Sequence, residues 1–344
     1  IKECKKELER EVQSLQKAYE VGARVPEYID CYFPSTEEER NQYNNFFLVQ
    51  EFIEGKNLPN LLQSRREKLT EGSNVNDFFE EKELFAYLID LLETLHLLKQ
   101  QNILHRDIKP QNIIQRSIRS DEHKEAGENK KLYLVDFGSS KQLEPGIETE
   151  NSIYYTKNHP RTPFYAPPEV LRETDLDSLR LERNKYKWLI GDFNSDLLLH
   201  KHRWTRDIYS LGITIFDLLT GIPKTIFYRY QPSDKDWGNW MSNLKEKIPN
   251  LYPILEKMTR FYPDERYQTA MAPLLEASAQ AWYVYGDRED KSWLLKDKLL
   301  KDSLESIDEK GINLPLLQKQ FLQKSKDEQD REDYRKSFRK NRNP

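Results

Sequence analysis

The sequence predicts an α+β chain in which short strands fall before residue 136 and helices dominate after Thr205. Three observations predict it. Apolar residues recur at three- and four-residue steps at the start of the chain and again over 80–101, as on a helix with one buried face. Short apolar runs rich in β-branched and aromatic residues, bounded by polar stretches, read as strands. Helical spacing then returns in successive segments from Thr205 to Gln280.

Residues 1–20 form a charged amphipathic helix with Leu8, Val12, Leu15 and Tyr19 on one face. Extended runs follow at 28–33 and 46–53, separated by an insert rich in Glu and Asn, and Gly55 closes the second. Over 80–101 a helix is marked by Leu84, Leu88, Leu91, Leu92 and Leu95. Residues 103–112 read as an irregular loop punctuated by Pro110. Strands at 112–115 and 132–135 flank a hydrophilic excursion, 117–130, expected to be a mobile loop. Residues 136–169 form a long irregular segment ending in a proline cluster. Helices are expected at 205–220, 240–247, 251–260 and 267–280, and the mixed charges after Ser303 read as a solvated helix or frayed tail.

The 344 residues are 37% hydrophobic and 33% charged, a soluble, globular composition. Lys+Arg 54 against Asp+Glu 58 leaves a net charge of -4, which argues against a nucleic-acid partner held by bulk electrostatics. Cys4 and Cys31 match no disulfide framework or metal spacing, which suits a reducing, cytoplasmic setting. No apolar run in this stretch approaches the ~20 residues of a membrane span.

His105-Arg106-Asp107-Ile108-Lys109-Pro110-Gln111-Asn112 carries the chemistry. Phosphoryl transfer to a hydroxyl needs a carboxylate to take the proton, a cation near the moving phosphate and oxygen ligands for magnesium. Asp107, Lys109 and Asn112 supply all three. Asp136-Phe137-Gly138 follows directly on an apolar strand, which puts a metal-binding carboxylate at a strand end. Tyr165-Ala166-Pro167-Pro168-Glu169 ends 33 residues after Asp136. Each triplet alone occurs by chance in unrelated chains; the ordered set matches the protein-kinase signature.

On these motifs, residues ~1 to ~283 resemble the Hanks-type (eukaryotic-like) Ser/Thr protein kinases. The tone is cyanobacterial, in Leu48-Val49-Gln50-Glu51-Phe52-Ile53-Glu54-Gly55 and Asn102-Ile103-Leu104-His105. The resemblance implies a bilobal α+β fold: a partial N-lobe over 1–55, a helical C-lobe over 56–283, and a charged extension over 284–344. It implies ATP in the cleft, magnesium on its phosphates and protein Ser/Thr as acceptor. Asp107 would be the catalytic base and Lys109 would steady the γ-phosphate. Asn112 and Asp136 would hold the metal, and Thr162 would bridge to Asp107 and Lys109. Gln50 falls at the gatekeeper position, Glu51 and Ile53 would offer backbone groups to adenine, and Ile114 would lie beneath it. Glu11 would pair with an ATP-anchoring lysine, and Leu15 would pack toward Phe137 and His105. Asp207 would fix the catalytic loop, Glu169 and Arg266 would form a buried ion pair, and Gly138 would let the backbone turn. Arg106 is the residue the resemblance assigns to receive a phosphate in the segment holding Tyr154, Tyr155 and Thr156.

The sequence also departs from that family. No glycine precedes Gly22, and no lysine strand precedes the Glu11 helix. The expectation is that this stretch lacks the start of the N-lobe, binds ATP weakly and is cut from a longer kinase. The alternative is a pseudokinase scaffold, with a small-molecule phosphotransferase ranked last. Arg161 replaces a glycine before Thr162-Pro163, and 171–204 is longer than usual. His200 and His202 read as surface-loop residues rather than a metal pair. Trp237 and Trp240 read as packing groups rather than base-stacking platforms.

Overall fold

The computed structural model describes residues 2–32, 46–67, 79–117, 131–142, 162–171, 202–220 and 242–340. Arg161, His200, Trp237, Trp240, the Tyr154–Thr156 group and most of the 117–130 excursion lie outside them. The architecture is bilobal, a β-containing N-terminal region followed by a helical C-terminal one.

Helix α1 (Lys2–Glu20) buries Val12, Ser14, Leu15 and Ala18. Tyr19, expected on that face, is exposed, because the buried stripe steps from Leu15 to Ala18. A Schellman motif ends the helix. The Ala23 N–H donates to Ala18 O at 3.1 Å and the Gly22 N–H to Tyr19 O at 2.9 Å, with Gly22 at φ 82°. The following turn is anchored to the helical region twice. Leu134 N–H donates to Arg24 O at 2.9 Å. The Arg24 guanidinium pairs with Asp90 and, at 2.9 Å, with Glu93.

Strands β1 (Tyr28–Tyr32) and β2 (Phe47–Gln50) pair antiparallel, with Cys31 opposite Leu48. β2 ends at Gln50, so Gly55 does not close it; Gly55 opens β3 (Gly55–Asn57). β3 pairs with β5 (Ile113–Arg116), which pairs with β6 (Leu132–Leu134). A Cβ on Gly55 would lie 2.1 Å from Gln115 O, so only glycine fits this crossing. Asn57 then caps an unanticipated helix, α2 (Leu58–Arg66), its side chain accepting from Asn60 N–H at 3.0 Å, with Pro59 in the first turn. β4 (Ile103–Leu104) pairs with β7 (Lys141–Gln142), inside stretches expected to be irregular.

The helical region is built on α3 (Glu81–Gln100), packed by α4 (Thr205–Thr220) and α6 (Met271–Val284), with α5 (Tyr252–Met258) against both α4 and α6. Leu84, Leu88, Leu92, Phe216, Leu255 and Leu274 are fully buried between them. At roughly 25 cal/mol per Å² of apolar area, each such side chain contributes about 1.5–3 kcal/mol. Glu81 accepts the Asn250 and Leu251 N–H groups, both at 2.8 Å, tying the start of α3 to the α5 approach.

Of the solvated helix and the frayed tail expected after Ser303, the described residues form the helix, and one seam of it is docked. Beyond α7 (Asp297–Lys310), α8 (Leu316–Lys340) packs on α6. Phe321 is fully buried edge-on to Trp282, with ring centroids 5.7 Å apart. Leu322, Ser325 and Glu328 are buried beside it, and Lys291 Nζ lies 2.5 Å from Glu328 Oε1. Phe321 and Leu322, with the half-buried Leu317, seat a helix whose other positions are mostly polar or charged. His202 is buried too, with Nδ1 2.6 Å from Gln268 Oε1, which corrects its surface-loop reading.

Candidate active site

Between β4 and β5 the chain makes a tight loop whose side chains turn inward. Asp107, 9% exposed, has both carboxylate oxygens engaged. Oδ1 accepts from Thr162 Oγ1 at 2.9 Å; Oδ2 accepts from Lys109 Nζ at 2.5 Å and Asn112 Nδ2 at 3.3 Å. Lys109 Nζ also donates to Thr162 Oγ1 at 3.1 Å, and Asn112 Nδ2 to Asp107 O at 3.0 Å. Three residues drawn from two segments 50 residues apart (Asn112 to Thr162) therefore fix one carboxylate.

The loop contains a strained turn that hydrogen bonds offset. Arg106 sits at φ 69°, a left-handed conformation that costs a non-glycine residue about 1–3 kcal/mol. Asp207, buried at the start of α4, accepts the His105 N–H at 2.8 Å and the Arg106 N–H at 2.9 Å. Charge-assisted bonds of this kind contribute about 1.5–3 kcal/mol each, enough to hold the strained turn. His105 is fully buried and burial lowers its pKa, so the ring is neutral. Its Nε2 lies 3.2 Å from Val135 O, and Asp107 N–H approaches Nδ1 at 3.4 Å. That pairing assigns the proton to Nε2. The ring meets Phe137 edge-on at 5.0 Å.

Asp136 follows β6 at φ 69°, and its Oδ1 accepts the Gly138 N–H at 3.3 Å. Val135 N–H donates to Asn112 O at 2.9 Å, which brings the backbones bearing Asn112 and Asp136 together. Among the described residues, no group of three or more His, Cys, Asp or Glu could hold a metal alone. Asn112 and Asp136 offer a sparse oxygen set, the kind Mg²⁺ takes when phosphates and water complete its shell. The residues fit that ion.

Glu11 projects from α1 toward this site: a Cβ on Gly138 would lie 3.6 Å from Glu11 Oε2 and 3.3 Å from Asp136 Oδ1. Burial first, then the charge of Asp136, raises the Glu11 pKa. Leu15 and Phe137 belong to the same buried core. Gln50 is exposed at the end of β2, and the Glu51 N–H donates to Glu27 O at 2.8 Å. Ile53 is buried and Ile114 half-buried on β5 opposite Asn57 and Tyr133. Glu169 and Arg266 meet through two bonds, at 2.7 and 2.9 Å, and both are buried.

Two basic residues here escaped the sequence reading. Arg106 Nε donates to Ser139 O at 2.6 Å and its Nη2 to Ser140 O at 3.1 Å. Burial, and then Arg10, lowers Arg106 to about 10. Burial, and then Arg106 and Arg10, pushes the next residue, Lys141, down to about 7. Neither Arg10 nor Lys141 belongs to a local motif, so only the fold reveals them.

With this geometry in view, the comparisons are consistent. The protein kinase domain family matches residues 1–180, and the chain belongs to it. It is similar to serine/threonine-protein kinase B of Synechocystis sp., 27% identical over 277 residues, covering 79% of this chain and 37% of that protein. Serine/threonine-protein kinase PknA of Nostoc sp. is 25% identical over 275 residues, 77% of this chain and 38% of that one. The dual specificity protein kinase zak2 of Dictyostelium discoideum is 33% identical over 154 residues, 43% of this chain and 18% of its own length. The chain thus spans about two fifths of the length of the cyanobacterial relatives. Among the described residues no helix is long and apolar enough to cross a membrane.

Proposed function

We propose that the protein carrying these residues transfers the γ-phosphate of ATP to serine or threonine hydroxyls of a protein substrate. The observation that carries it is the Asp107 carboxylate, gripped on both oxygens by Thr162, Lys109 and Asn112. A hydroxyl placed against Asp107 is oriented for attack and gives its proton to the carboxylate as the new O–P bond forms and ADP leaves. Lys109 stays within reach of both Asp107 and the incoming phosphate and offsets developing charge. Asn112 and Asp136 would hold Mg²⁺, which would supply positive charge against the phosphates when bound. Because the Glu51 N–H is committed to Glu27, the proposal assigns adenine to the Glu51 carbonyl and the Ile53 backbone, with Gln50 at the back and Ile114 beneath. Cytoplasmic work suits this assignment.

A second reading, a binding scaffold without transfer, rests on one observation. Among the described residues Glu11 forms no ion pair and faces Asp136, another carboxylate. Mass spectrometry of a Ser/Thr peptide library incubated with the chain and Mg-ATP separates the two. Phosphopeptides that vanish with Asp107→Asn support transfer; nucleotide binding with no phosphopeptide from the unaltered chain supports the scaffold.

A further inference from the structure

A cleft of about 640 Å³ runs along α3, and none of the residues lining it has a part in the chemistry assigned above. α3 lines it from Glu80 to Glu93, about 20 Å of helix at 1.5 Å per residue. Gln115 of β5 and the neighbouring Lys131 close one side; α6 and the turn after Asp290 close the other. A cleft of this size takes a small organic molecule. Two of its polar lining groups are buried and unsatisfied. Among the described residues, Ser278 Oγ and Trp293 Nε1 have no hydrogen-bond partner, and the two side chains are 0% and 8% exposed. A buried N–H or O–H left unpaired is costly, so a group that brings an acceptor there is favoured. Ala86, Ile89, Leu294 and Leu295 add apolar wall. The inner charges, by contrast, are already matched. Arg24 serves Asp90 and Glu93, and Arg65 holds Glu83 through two bonds. Lys82 and Lys131 are exposed to water.

We propose that this cleft binds a neutral small molecule with an apolar body and a carbonyl oxygen, an amide or an ester, seated on Trp293 and Ser278. The carbonyl oxygen accepts from the indole N–H, which can only donate, and from the serine hydroxyl, whose proton is free to rotate. The hydrocarbon body lies against Ala86, Ile89, Leu294 and Leu295 and leaves water as it does so. A carboxylate is disfavoured, because it would stand beside Asp90 and Glu93, two acids that share one guanidinium. An ammonium is disfavoured for a different reason: it has no lone pair to offer the indole N–H.

The test uses N,N-dimethyloctanamide, which accepts hydrogen bonds and donates none, with the whole chain and without nucleotide. Indole N–H signals are followed by proton–nitrogen NMR, the Trp293 signal being the one lost in Trp293→Phe. That signal should shift saturably as the amide is added. Octanoate and octylammonium, matched in chain length, should bind at least tenfold more weakly. Ser278→Ala should weaken the amide severalfold while the Trp293 signal keeps its folded position. No saturable shift with the amide overturns the proposal. So does either ion binding as tightly as the amide, or a Ser278→Ala chain that binds the amide with unchanged affinity.

Discussion

Arg266 closes on Glu169 through two parallel hydrogen bonds, Nη1 to Oε1 at 2.7 Å and Nη2 to Oε2 at 2.9 Å, with both side chains sealed from solvent. The same guanidinium donates to Arg260 O and Phe261 O and lies 4.6 Å from the Tyr209 ring centroid. One side chain therefore ties the end of α5, the 3-10 turn before α6, and the turn after Thr162.

Glu169→Ala strands that guanidinium without its carboxylate. Breaking one side of a buried pair costs about 3–5 kcal/mol, and the two carbonyls recover only part of it. Urea unfolding should show that loss. A decrease under about 1 kcal/mol would mean that the pair is replaceable by its backbone partners.

Asp107→Asn keeps the size of the side chain and discards the charge that accepts a proton. Phosphopeptide formation should fall about 10²–10⁴-fold. The denaturation midpoint should fall by only a small fraction of that effect, since the single remaining oxygen can still accept from Asn112 and Lys109 while the new amide donates to the Thr162 hydroxyl. Thr162→Val should give a smaller loss of turnover, because it frees one carboxylate oxygen to rotate.

Gly55→Ala drives a methyl to within 2.1 Å of Gln115 O, a backbone atom that cannot rotate away. β3 must separate from β5, at an overpacking cost of about 1–3 kcal/mol or more. Hydrogen exchange is the sensitive readout: the amides of the β3–β5 ladder should lose protection while those of α3 keep theirs. Unchanged protection across Gly55–Asn57 would contradict this.

Glu11 is held above its usual pKa by burial and by Asp136, so the folded chain takes its proton more readily than the unfolded chain does. The sign follows: stability falls as pH rises from the unfolded value through the folded one, and ionised Glu11 opposes folding at neutrality. Glu11→Gln should raise the denaturation midpoint at pH 7 and leave it nearly unchanged at about pH 4. If Glu11 serves nucleotide, the same variant should lower peptide phosphorylation. A destabilised Glu11→Gln at pH 7 would show a cationic partner for Glu11.

Much of the site was legible because its parts are local. His105 through Asn112 carry their roles in fixed spacing, and Asp136-Phe137-Gly138 follows a recognisable strand. The resemblance extended this to Asp207 and to Glu169 with Arg266, which no local pattern pairs across 97 residues. What stayed hidden depends on long-range packing. Arg24 with Asp90 and Glu93, and Arg10 with Lys141, are ordinary surface-type residues until the fold brings them together. The helix of the charged extension was expected, but its seating stayed hidden, because it uses Phe321 and Leu322 within a mostly polar run. Helix α2 was missed although Asn57-Leu58-Pro59 announces its start, because the nearby Gly55 drew the boundary too early.

The double anchoring of Arg24 makes the C-terminal end of α1 a fulcrum. Its backbone carbonyl is bonded to Leu134 and its side chain to α3, so that end cannot translate away from the helical region. Any tilt of the helix would turn about this point. Glu11 stands ten residues up the shaft from Val21, about 15 Å at 1.5 Å per residue. A tilt of about 10° then sweeps the carboxylate roughly 2.5 Å, enough to make or break an ion pair. Such a tilt would change the spacing between Glu11 and Asp136 while Thr162, Lys109 and Asn112 keep their hold on the Asp107 carboxylate.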